Sequence, residues 1–238
     1  MVVLIAQLAC PLATEVETFL QRARGLESAT GFHLYNDGGG LHPLALGSLL
    51  QQELQKEVYL HLHPADRNRA ALFSDLLTAH VTGVEKVVLG SGKHPIKTRF
   101  PEAKPVYDLD LLQLLRMTLR AREGFDPTGR PLAEGLSVQV GVQVRVDSPL
   151  ELLRLRQMVE LGADFVLLKW PSRFLDASQL QVQIERPIYL SVEVDQVARE
   201  EEEWQRIHDS DLAGINLVVP FGKEDRAEEI LRWFSRYP

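Results

Sequence analysis

Short apolar runs alternate with longer amphipathic stretches along almost the whole chain. Residues 2–9 are continuously apolar except for Gln7, the pattern of a strand covered on both faces. Residues 15–23 follow with Val16, Phe19, Leu20 and Ala23 on one helical stripe. The same rhythm predicts strands at 32–35, 58–62, 86–89, 136–146, 165–168, 187–194 and 214–219. Helices are predicted at 43–54, 68–79, 109–121, 149–161, 197–208 and 227–234. The clearest strand by period is 136–146, where Val138, Val140, Val142 and Val144 alternate with Gln139, Gln143 and Arg145. Pro149 and Gly162 bracket the helix that follows, as helix ends prefer.

Eight strands alternating with seven helices in 238 residues predict one α/β domain over 1–238, a single (β/α)8 TIM barrel. An open doubly wound sheet is the competing architecture. Its first strand–helix turn usually carries a glycine fingerprint, whereas this one reads Cys10-Pro11-Leu12-Ala13-Thr14.

Composition narrows the partners. A net charge of -7 disfavours nucleic acid or an acidic membrane as the main one. Cys10 is the only cysteine, so neither an internal disulfide nor a thiolate cluster is expected. The apolar start has no basic region before it, and no apolar run reaches the ~20 residues of a membrane span. A cytoplasmic protein is the expectation.

A barrel of this kind works at the C-terminal ends of its strands. That rule selects Gln7, Tyr35, the His61-Leu62-His63 run with Asp66, the Ser91-Gly92-Lys93-His94 loop, Gln143, Arg145 and Lys169. Lys169 ends an apolar strand, so it either faces the mouth or snorkels out of it. His61 and His63 share a strand face and could hold a metal with Asp66. The favoured reading is one histidine capping the core and one exposed, with no metal, because no further ligand from another strand is evident. Gly38, Gly39 and Gly40 permit close backbone approach to a ligand or form a turn. The polar loop 90–108, longer than a connection requires, is expected to help form the site.

These residues resemble, in order and spacing over about 7–170, the methylenetetrahydrofolate reductases, flavin-dependent (β/α)8 barrels of one-carbon metabolism. Leu34-Tyr35-Asn36-Asp37-Gly38-Gly39-Gly40 falls where that family has a Thr-Tyr-Gly-Ala-Gly-Gly-Ser strand end. His61-Leu62 with Asp66, Gly92 with Pro95, Tyr107 with Asp110-Leu111, and Gly162-Ala163-Asp164 also match its pattern. The resemblance implies FAD along Tyr35, His61, Ser91, Gly92, Lys93, Tyr107 and Asp110. It places Gln7 and Lys169 at catalytic positions, with Lys169 near a reduced folate.

The chain departs from the family at points that bear on the reaction. Gln7 stands where the family has a proton-donating glutamate, and an amide does not replace that acid. Ser91 and Lys93 replace an arginine and an aspartate, and Lys169 replaces a glutamine. The expected function is therefore FAD-dependent hydride exchange with a reduced folate. The alternative is a barrel that has lost the redox chemistry and binds a ligand or serves as a subunit of a complex or homo-oligomer. Metal-dependent hydrolysis through His61, His63 and Asp66 is a third, weaker reading.

Overall fold

The computed structural model describes residues 2–36, 40–170, 184–197, 205 and 212–236. Eight strands close into a barrel in sequence order: β1 (Val3–Ala9), β2 (Gly31–Tyr35), β3 (Glu57–Leu62), β4 (Lys86–Leu89), β5 (Gln139–Val144), β6 (Phe165–Lys169), β7 (Ile188–Glu193) and β8 (Gly214–Val218). Every pairing is parallel, including β8 back onto β1. The described helices that follow strands are α1 (Val16–Arg24), α2 (Pro43–Leu54), α3 (Arg69–Val81), α4 (Leu111–Arg122), α5 (Pro149–Leu161) and α6 (Glu224–Arg236). The chain is a (β/α)8 barrel. None of the described helices is long and apolar enough to cross a membrane.

The alternating side chains of the strands divide the interior in two. One set packs outward under the helices and forms the main core, with Leu34, Leu60, Val87, Val142, Val166 and Leu217 among its members. The other set fills the barrel with Ile5, Tyr59, Val88, Phe165 and Leu167, joined by Val3 and Tyr189. Tyr59 and Tyr189 both pack edge-on against Phe165. This plug fills the N-terminal part of the barrel.

Two predicted boundaries move for physical reasons. The alternation over 136–146 continues beyond the ladder because Leu136 and Val138 are buried, at 3% and 5% exposure. The strand begins at Gln139 because its neighbour β4 begins at Lys86, the residue that pairs with Gln139. The helix predicted from 109 begins at Leu111, because Asp110 is its N-cap and accepts from Gln113 N at 2.7 Å while Gln113 Oε1 accepts from Asp110 N at 2.9 Å. The acidic helix predicted at 197–208 lies almost wholly outside the described residues, as do Asp37, Gly38 and Gly39.

Candidate functional site

Moving two residues along each strand, from the plug towards the C-terminal end, changes the chemistry at once. Ile5 gives way to Gln7, Tyr59 to His61, Leu167 to Lys169 and Tyr189 to Ser191. Gly31 is followed by His33, Gly141 by Gln143, Gly214 by Asn216 and Val88 by Gly90. The apolar plug is thus capped by a tier with one polar residue or glycine from each strand.

Five of the eight members of that tier form one hydrogen-bonded chain. Asn216 Nδ2 donates to Gln7 Oε1 and to Ser191 Oγ, both at 2.8 Å. Asn216 Oδ1 lies 3.2 Å from His33 Nδ1, and His33 Nε2 lies 3.1 Å from His61 Nδ1. His33 and Asn216 are wholly buried, and His61 is 4% exposed. Burial lowers the His33 pKa to about 3, against the hydrogen bond to Asn216 Oδ1, which raises it. Burial also holds His61 well below the ordinary imidazole value, reinforced by the neighbouring His33, His63 and Lys169. Both rings are neutral at physiological pH.

Above this tier a cavity of about 610 Å³ opens between the strand ends, the first turn of α4 and α5 from Glu151 to Met158. Its floor includes His61 and Gln143; its walls include Tyr35, Lys93, Arg145, Arg154, Met158 and Lys169. The Lys93 ammonium sits 5.7 Å from the Tyr35 ring centre, and Tyr35 stands edge-on to His61 with centroids 4.8 Å apart. Four cationic side chains line the cavity, against the carboxylates Asp110 and Glu151. Both carboxylates cap helices. Asp110 starts α4, and Glu151 Oε2 accepts from Asp147 N at 2.7 Å and Ser148 Oγ at 3.1 Å. Burial, and then the charges of Arg145 and Lys93, lower the pKa of Lys169. The cavity is therefore built for an anionic or electron-rich ligand.

Two glycines of the β4–α4 loop make this shape possible. A Cβ at Gly90 would lie 2.7 Å from both Cε1 and Nε2 of His61. Gly92 has a left-handed φ of 75°, and a Cβ there would lie 2.5 Å from His63 Nδ1.

Of the residues selected from sequence, Tyr35, His61, Ser91, Gly92, Lys93, Asp110 and Lys169 all line this cavity. Lys169 thus faces the mouth. Gln7 lies in the buried chain beneath it. Tyr107 lies elsewhere, 83% exposed and outside the cavity lining. The expectation of one buried and one exposed histidine is corrected: His61 and His63 are both buried, at 4% and 8% exposure. His63 Nε2 lies 3.2 Å from the Asn36 carbonyl, so it donates there, and its Nδ1 lies 3.4 Å from Asp66 Oδ1. Among the described residues no group of three or more His, Cys, Asp and Glu side chains is arranged to hold a metal ion.

Sequence reasoning passes over His33, Ser191, Asn216 and Arg154. The first three are lone polar side chains at the inward, period-two position of short apolar strands, and that is the signal by which they could be found.

No protein-family model matches the chain, and no curated protein matches it significantly. Solved structures do match. An uncharacterized protein from Clostridium thermocellum that binds two copies of 5-methyl-5,6,7,8-tetrahydrofolic acid superposes with a TM-score of 0.66 at 8% identity, covering 100% of this chain and 96% of that one. A mutant tryptophan synthase alpha-subunit from Pyrococcus furiosus gives 0.62 at 15% identity, covering 98% and 96%. A 2,3-dimethylmalate lyase of the PEP mutase/isocitrate lyase superfamily gives 0.57 at 12% identity, covering 98% and 79%. At these identities the likeness establishes the barrel fold.

Proposed function

We propose that the protein is a flavoprotein of the methylenetetrahydrofolate reductase type, which binds FAD and a reduced folate in the mouth cavity and exchanges a hydride between them. The observation that carries this reading is convergence. Seven residues at positions that correspond to that family's site, drawn from four strand ends and one helix start, line a single cavity; Tyr35, His61, Gly92 and Asp110 keep the family's residue, and Ser91, Lys93 and Lys169 replace it. A structural neighbour that binds 5-methyl-5,6,7,8-tetrahydrofolic acid adds support on the folate side.

The residues fit both partners chemically. Lys93, Arg145, Arg154 and Lys169 match the phosphates of FAD or the carboxylates of a folate tail. His61, buried beneath them, offers a ring nitrogen to a planar heterocycle. FAD supplies the hydride chemistry when bound; the chain supplies position, charge and exclusion of water. Lys93, beside Tyr35, places a cation where the family has an aspartate, which favours an electron-rich, anionic ring. The direct test is a single turnover: protein loaded with chemically reduced FAD, mixed with methylenetetrahydrofolate, should regain the oxidised flavin spectrum faster than free reduced FAD does. Equal rates would contradict the redox reading.

One observation favours a second reading, a barrel that binds folate without redox chemistry. Gln7 is held by Asn216 and presents no acid at the position of the family's proton donor. Tight binding of 5-methyltetrahydrofolate by protein that ignores FAD would favour it.

A further inference from the structure

The buried chain ends at a specific atom, and its hydrogen bonds can be followed donor to acceptor. Asn216 Nδ2 uses both its protons, on Gln7 Oε1 and Ser191 Oγ. Asn216 Oδ1 is then purely an acceptor towards His33, so the proton of His33 is on Nδ1. A neutral His33 with a proton on Nδ1 has a bare Nε2, which accepts. Its partner 3.1 Å away, His61 Nδ1, must therefore carry the proton of His61. That leaves a lone pair on His61 Nε2, for which no partner exists among the described residues. This edge of the ring lies over Gly90, where the missing side chain leaves it room, and His61 forms part of the cavity floor.

We infer that Asn216 and His33 are positioning residues that lock His61 in its Nδ1–H tautomer, so that Nε2 serves as a hydrogen-bond acceptor for an N–H or O–H group of the bound ligand. The cavity is then divided by chemistry. Its cationic wall takes anionic groups, and its floor selects the donor edge of a ring, as a pterin or an isoalloxazine carries. A carboxylate or phosphate aimed at the floor would meet a lone pair and be rejected. Neutrality of both rings, caused first by their burial, keeps the chain in this one arrangement at physiological pH.

The ligand identity rests on the proposed function; the tautomer does not, and the experiment separates them. Long-range 15N–1H spectra of histidine-labelled, ligand-free protein are assigned by the loss of signals in His61→Gln and His33→Phe. In the wild type both His33 and His61 are expected as Nδ1–H tautomers, the less common form of free histidine. In Asn216→Leu, His33 loses its acceptor, and both rings should shift to Nε2–H. In His33→Phe, His61 alone should do so. An Nε2–H signal for His61 in the wild type overturns the inference, as does a His61 tautomer unchanged in both variants. Should Asn216→Leu not fold, the wild type and His33→Phe still decide. Titration with 5-methyltetrahydrofolate should move the Nε2 resonance of His61 towards that of a hydrogen-bonded nitrogen, and His33→Phe should bind it about tenfold more weakly. Saturation that leaves Nε2 unmoved overturns the ligand assignment. If this folate does not bind at all, the functional reading fails, and the tautomers still decide the chain.

Discussion

The side-chain amide of Asn216 donates to the side-chain oxygen of Gln7 at 2.8 Å, joining the first and last strands of the barrel. This contact fills the place where the resemblance calls for an acid. It also accounts for an amide being stable there, since its oxygen has a buried donor.

Gln7→Glu restores a proton donor without removing that contact, because a carboxyl oxygen still accepts from Asn216. In the single-turnover assay with reduced FAD and methylenetetrahydrofolate, the variant is expected to react about 10²-fold faster than the parent. An unchanged rate would mean that protonation at this position does not limit the reaction.

Lys169 faces the cavity, and the charges nearest to it in effect are the like charges of Arg145 and Lys93. Crowding of three cations favours an anion between them. Lys169→Met should raise the Kd for 5-methyltetrahydrofolate by roughly 10–100-fold and weaken its salt dependence, measured calorimetrically at two ionic strengths. Tighter binding by the variant would show that the lysine opposes the ligand.

The histidine pair makes stability depend on pH with a definite sign. Folded His33 titrates at about 3 and His61 well below 6.5, whereas in the unfolded chain both take a proton near 6.5. The unfolded state therefore binds more protons below about pH 6.5, and stability falls as the pH drops through that value towards 3. Between pH 7.5 and 5.5 the two rings together should cost roughly 2–3 kcal/mol in urea unfolding. His33→Phe should remove about half of that difference. A parent protein equally stable at both values would contradict the buried neutral pair.

Gly90→Ala tests the packing of the loop against His61. The added methyl group would lie 2.7 Å from the Cε1 and Nε2 atoms of the ring, so either the ring or the loop must move. A loss of about 1–3 kcal/mol in urea unfolding is expected, together with weaker ligand binding. Unaltered stability and affinity would show that the loop yields freely.

The barrel was legible because its strands are short apolar runs at regular intervals, and the fold's own rule then points to the strand ends. Lys169 stood out for a simple reason: a charge at the end of Phe165-Val166-Leu167-Leu168 needs somewhere to go. His33 and Asn216 could not be paired in advance, since their contact spans 183 positions and depends on closure of β8 onto β1. Burial of both His61 and His63 was missed because the spacing of two residues says which face they share. It says nothing of the Tyr35 ring and the loop at Gly90 and Gly92 that cover them. Tyr107 rests on likeness alone, and it stands 83% exposed in a long loop outside the cavity lining.

The most direct measurement is the absorption spectrum of the purified protein, followed by titration with FAD. A flavoprotein of the proposed type should carry an oxidised flavin band, or acquire a perturbed one on addition of FAD, with saturation at one equivalent per chain. Colourless protein that leaves the spectrum of added FAD unchanged would contradict the proposed chemistry.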